Sequence, residues 1–240
     1  MSRSNENTQK NPAKHFIEWK GGVGKLEYFD KERGEKGEKV EIPIPFTFLV
    51  LDVLSTIKGF SDEMQSGFWS NEVRSTIKEK FTVKSKKGII DSGLYRDIIG
   101  KKELTGAKYC QSTYVAYKQG KDLILANIQM TGAALNSWIE FRKKNDIYKG
   151  AVKITGSKKA KKGTTTYFVP VFEKTEVSEE TNEKAIILDK QLQDYLKVYF
   201  GNTESEELPL TEMDKIAEEV VEEITERDTQ SVENKDITDD

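Results

Sequence analysis

Six residues of the stretch WKGGVGKLEYF, Lys20 to Lys25, have the types and spacing of a phosphate-binding loop. Such a loop works because glycines let backbone N–H groups converge on phosphate oxygens, a lysine reaches the outer phosphates, and a following Ser or Thr hydroxyl holds Mg²⁺. Here Lys25 is followed by Leu26, so the magnesium ligand is missing. The loop must also open a helix whose orphan N–H groups complete the anion site, but Gly34 and Gly37 stand where that helix would run. FLVLD, Phe48 to Asp52, has the letters of a Walker B strand. Only about twenty residues separate it from Lys25, with Pro43 and Pro45 between, and a helical crossover already takes a dozen or more. The expectation is a hairpin instead. HFIEW and KLEYF are its strands, and Gly21, Gly22 and Gly24 supply the positive φ angles of its turn.

Other catalytic chemistry is sparse. One Cys (Cys110) and one His (His15) exclude disulfide frameworks, structural zinc sites and His-based triads. Asp52, Asp62 and Glu63 could converge in space, but their spacing does not argue for metal-dependent cleavage. The expectation is a protein that is not an enzyme, with no catalytic residues, cofactor or metal.

What the chain does carry is cations interleaved with aromatics. Trp69 and Arg74 share a segment, and Lys84, Lys86 and Lys87 share a turn. Tyr95 and Arg96 are adjacent, and Tyr109, Tyr114 and Tyr117 lie between Lys108 and Lys118. Lys158, Lys159, Lys161 and Lys162 crowd one expected hairpin loop, SKKAKKG. Single-strand binders need this mixture, because cations track phosphates while exposed rings offer faces on which any base can stack. The candidate nucleic-acid-binding set is therefore Trp19, Phe60, Trp69, Tyr95, Tyr109, Tyr114 and Tyr117 for stacking. Arg74, Lys84, Lys86, Lys87, Arg96 and the four loop lysines are its cations. Aromatics at a period of two in strands are more often core than platform, and about half of these rings are expected to pack inside, with Trp138 and Phe168 buried. A four-lysine loop can also be a solvated turn or a guard against edge pairing.

The elements that must position these residues read mainly as strands. Glu41 to Ile57 is apolar and β-branched on both sides of the pleat, as in a long, strongly curved central strand. GFWSNEVRSTI, KFTVKS, AKYCQSTYVAYK and DLILANIQM follow at short intervals with turn residues between them. TGAALNSWIEFRKKN then switches to a helical period, with Thr131 as N-cap and Leu135, Trp138, Ile139 and Arg142 on one face. Two strands, GAVKITG and TTTYFVPVFEKTE, and a helix, DKQLQDYLKVYF, ending before Gly201 complete the body. Strands, one helix and a last hairpin are the order of an OB-fold, a Greek-key barrel that binds oligonucleotides, here with an added N-terminal hairpin and C-terminal helix. An SH3-like or other small barrel competes with it.

The formal net charge of −3 conceals a division. Residues 1–174 hold 32 Lys+Arg against 20 Asp+Glu, a net of +12, and residues 175–240 hold 6 against 21, a net of −15. A basic body suits a polyanion, since each Lys or Arg releases condensed counterions from a nucleic-acid backbone. The expected organisation is a disordered N-terminus (1–14), one OB-fold-like domain (15–201) and an acidic, largely disordered tail (202–240). Within the tail, residues 211–227 could form a short helix with Met213, Ile216, Val220 and Ile224 on one face.

A basic β-rich body with stacking aromatics, followed by an acidic tail ending in DITDD, resembles the single-stranded DNA-binding proteins of bacteriophage replication systems and, more distantly, of bacteria. The resemblance implies a protein that coats unwound DNA in replication or recombination. It also implies a tail that recruits replication proteins and competes with DNA for the basic groove. The alternative is an assembly protein whose basic body binds an acidic protein partner, and either reading leaves room for a homo-oligomer. No apolar run reaches membrane-span length and the N-terminus lacks an apolar signal core, so the expected location is cytoplasmic, the host cytoplasm for a phage-encoded chain.

Overall fold

The computed structural model describes residues 10–62 and 65–201. The fold is mainly β. Its strands are β1 (His15–Lys20), β2 (Lys25–Asp30), β3 (Glu38–Ile42), β4 (Phe46–Ser61), β5 (Ser66–Ser70), β6 (Phe81–Ser85), β7 (Gly88–Gly93), β8 (Ala107–Gln119), β9 (Asp122–Thr131), β10 (Ala151–Lys162) and β11 (Thr165–Thr175). The helices are α1 (Tyr95–Ile98), α2 (Gly132–Lys144) and α3 (Glu179–Tyr199), with one 3₁₀ turn at Lys102–Leu104.

The described residues separate into two compact units, 10–53, 112–130 and 145–201 in the first, 54–62, 65–111 and 131–144 in the second. In the first, the strands run in the order β3-β2-β1-β9-β8-β4, antiparallel at β1–β2 and β2–β3 but parallel at β1–β9, where Ile17 faces Ile128. β10 joins β4 only over Val152–Ile154 and otherwise pairs with β11. Leu49, Ala116, Ala151 and Ala185 form one buried cluster, with Leu188 of α3 packed against it. α3 begins ten residues before the expected helix, because Ser178 caps it by accepting from the Thr181 N–H at 3.3 Å.

In the second unit β4 is followed by β5, β6 and β7, each antiparallel to the last. One sheet face is core. Phe81 meets Tyr95 edge-on at 6.0 Å, Tyr95 meets Tyr109 at 5.5 Å, and the Tyr109 and Ser55 hydroxyls share a 2.7 Å hydrogen bond. α2 buries Leu135, Trp138, Ile139 and Arg142 at the expected helical spacing.

Four expectations change. The path of paired strands ends at β3 and at β7 and does not close among the described residues, so a barrel gives way to an open mixed sheet. The expected N-terminal addition is an integral part of that sheet, through the parallel β1–β9 pairing. Glu41–Ile57 is not one strand, because Pro43 and Pro45 lack the N–H a ladder needs and divide β3 from β4. SKKAKKG is strand rather than loop, with Lys158 to Lys162 paired to Val169 to Thr165. Of the residues expected in a disordered N-terminus, 10–14 are described. The Asn11 amide donates to the Tyr114 hydroxyl at 2.8 Å, and the Lys14 N–H donates to the Leu125 carbonyl. The acidic tail and its 211–227 segment lie outside the described residues.

Candidate nucleic-acid interface

The glycine-rich stretch at Lys20–Lys25 is a β1–β2 turn. Lys20 and Lys25 are cross-strand partners, and the Gly24 N–H donates to the Lys20 carbonyl at 2.8 Å. Of the three glycines expected at positive φ only Gly24 has it, at +71, where a Cβ would also press on Phe168 and Ser157 at 3.0–3.1 Å; Gly21 and Gly22 take ordinary negative-side angles. The turn docks against β11, since the Gly21 carbonyl accepts from the Phe168 N–H at 2.7 Å and the Trp19 indole donates to the Phe168 carbonyl at 2.9 Å. Lys25 Nζ is paired with Glu41 at 2.7 Å. No helix follows to complete a phosphate site.

The outer face of the second unit brings several candidate residues together. Strand register opposes Lys58 to Trp69, Trp69 to Lys84 and Lys84 to Ile89, giving one row across β4, β5, β6 and β7. Directly opposed residues share a sheet face, and burial confirms which face this is. Ile57, Phe68, Phe81 and Val83 are buried, whereas Trp69 is 50% exposed, Ile89 67% exposed and Lys84 exposed. Phe60 lies two residues beyond Lys58 on the same side, 53% exposed, and diagonal to Trp69 because its direct partner is Gly67. Diagonal partners lie about 7–8 Å apart, within reach for aromatic rings. Exposed Lys86 and Lys87 flank the row in the β6–β7 turn. Asp91 of β7 is paired with Lys101 at 2.6 Å, and that ammonium holds the carboxyl below its usual range.

Such a face can stack two bases and contact the phosphates between and beside them. Lys58 and Ile89 were not among the candidates from the sequence. The signal for Lys58 was its place two residues before Phe60, and for Ile89 only the pairing register reveals it.

Other candidates fall elsewhere. Tyr95, Tyr109, Tyr114 and Tyr117 are corrections: all four rings are buried, so they build the core and offer no face to a base. Burial also pushes the Tyr109 and Tyr117 hydroxyls above their usual pKa. Trp138 is buried as expected, but Phe168 is half-buried. Trp19 is half-buried with its indole N–H engaged. Arg74 is half-buried, its backbone N–H 3.4 Å from Glu79, and Arg96 lies exposed on α1 beside Asp97. Lys158, Lys159, Lys161 and Lys162 belong to the first unit. Asp52 is buried, its carboxylate accepting from the Val53 N–H at 2.7 Å, and Glu63 lies outside the described residues.

No protein-family model, curated protein or solved structure matches the chain.

Proposed function

We propose that this chain is a non-enzymatic single-stranded DNA-binding protein that coats unwound DNA, with little sequence preference, during replication or recombination. The observation that carries the reading is the pair of exposed rings, Phe60 and Trp69, set beside Lys58 and Lys84 on one face of paired strands. Stacking works for every base and lysines follow the backbone, so the face suits a strand of any sequence. OB-fold proteins use a barrel face in this way, and in this reading an open sheet face does the same work. The acidic residues after 201 are assigned the recruitment of replication proteins and competition with DNA.

A second reading, an assembly protein that meets an acidic partner or a second copy of itself, is favoured by α3. There Ile186 and Ile187 are both 60% exposed.

Titration with oligothymidylate separates the two. Trp138 is buried and Trp19 half-buried, so a fluorescence quench reports mainly on Trp69. The expected result is a quench, an affinity that falls steeply with salt, and a loss of roughly 1–3 kcal/mol of binding for Phe60→Ala by quench and for Trp69→Ala by anisotropy of a labelled oligothymidylate, since that variant lacks the reporter. Thermal unfolding should move little, because both side chains are exposed. Absence of a quench together with an affinity flat in salt favours the assembly reading.

A further inference from the structure

The β10–β11 hairpin carries charge that the stacking face does not use. β10 leaves β4 after Ile154, with a register shift between Ile154 and Gly156. From Gly156 to Lys162 its strand partner among the described residues is β11; the β1–β2 turn meets this hairpin at Phe168, opposite Lys159, and beyond that point, from Ala160 to Tyr167, what remains is a two-stranded ribbon. Side chains alternate along a strand. Lys158 and Lys162 therefore lie on one face of the hairpin, and Lys159 and Lys161 on the other. All four are exposed, as are Thr164, Thr165 and Thr166 at the tip, and no Asp or Glu occurs from Gly156 to Phe172.

The tip offers ammonium groups and hydroxyls but no exposed ring, since Tyr167 and Phe168 are half-buried. It is equipped to contact phosphates and not to stack bases. Cations on both faces match a ligand that presents phosphates on both sides at once. A duplex groove does so, and the B-form major groove, about 12 Å wide, admits a two-stranded β-ribbon whose strands lie about 4.8 Å apart. The major groove of A-form RNA is too deep and narrow to be entered.

We propose that the tip of the β10–β11 ribbon seats in the major groove of duplex DNA, Lys158, Lys159, Lys161 and Lys162 neutralising phosphates on both strands. This site is separate in the chain from the Phe60–Trp69 face and takes a different ligand. A protein with both engages single strand and duplex through different elements, as at the edge of an unwound region.

The test uses the full chain. Anisotropy titrations would follow a labelled DNA duplex of about 20 base pairs, the same duplex as RNA, and oligothymidylate, at about 50 and 200 mM salt. Substituting the four lysines by alanine should lower duplex DNA affinity roughly tenfold or more and reduce the salt slope by about one per lost phosphate contact. Oligothymidylate binding should stay near wild type, and arginine at the same four positions should keep duplex binding. Trp69→Ala should show the reverse pattern, losing oligothymidylate and keeping duplex. Absent duplex binding by the wild type, unchanged duplex binding by the alanine variant, equal losses on both DNA ligands, or parity between duplex DNA and duplex RNA would each overturn the proposal.

Discussion

At the scale of single residues, burial separates rings that look alike in the sequence. Tyr109 and Trp69 both sit in strands with a cation nearby in the sequence, Lys108 and Arg74, yet the Tyr109 hydroxyl is tied to Ser55 inside the core while Trp69 stands half in solvent. His15 is the one histidine in the chain, which makes it a clean probe of such burial. Its ring stacks on Tyr28 at 3.9 Å and shares a 2.7 Å hydrogen bond through Nδ1 with the Tyr117 hydroxyl. Desolvation, and then Lys14, hold its pKa below the ordinary 6.5, while Asp30 acts the other way. The unfolded chain then takes up a proton before the folded one does. The stability contributed by the neutral ring is intact above the unfolded value and is lost as pH falls through the lowered folded value. Thermal melts between about pH 7 and 5 should fall with acidification for wild type, and His15→Phe should be less stable at pH 7 but flatter across that window. Parallel curves for the two proteins would show that His15 does not carry the dependence.

At the scale of elements, close approaches between backbones fix how β4 can pack. A Cβ added to Gly59 would collide with the Gly106 carbonyl and would lie 2.5 Å from the Phe68 ring. Gly59→Ala should therefore cost roughly 1–3 kcal/mol or more of stability, read as a lower midpoint in chemical denaturation, and an unchanged midpoint would mean that β4 and the Gly106 turn shift apart without strain. Much of this level was legible from residue patterns. The β1–β2 hairpin followed from its glycines and the missing magnesium ligand, and α2 from the spacing of Leu135, Trp138, Ile139 and Arg142. The lysine-rich arm was misread as a loop because lysine is depleted in strands, although the turn itself, at Gly163–Thr164, uses ordinary turn chemistry. Alternation puts Tyr109 and Tyr117 on one side of β8 and Tyr114 on the other, but it cannot say that β8 is buried on both sides. Nor does it reveal the row from Lys58 to Ile89, which exists only through long-range register.

At the scale of the whole molecule, the division of charge is the feature that any functional account must use. Residues 203–240 hold 15 acidic and 3 basic residues, a net of −12, on the same chain as a basic body. A tethered polyanion competes with DNA at an effective concentration on the order of millimolar. Ending the chain at residue 202 should tighten oligothymidylate binding, most at low salt where screening is weakest, and equal or weaker binding by the shortened chain would remove the tail from the mechanism. Whether single-stranded DNA lies on the face holding Phe60 and Trp69 is read by photo-crosslinking. Bromodeoxyuridine-substituted single strands would be irradiated with the intact protein, digested with trypsin and mapped by mass spectrometry. Cleavage after Lys58 and Arg74 releases Phe60 and Trp69 on one peptide. The dominant adduct is expected on that peptide, at Trp69 or Phe60, and should be suppressed by excess unlabelled oligothymidylate. Adducts confined to other peptides, or none under conditions where the protein binds the strand, would contradict that placement.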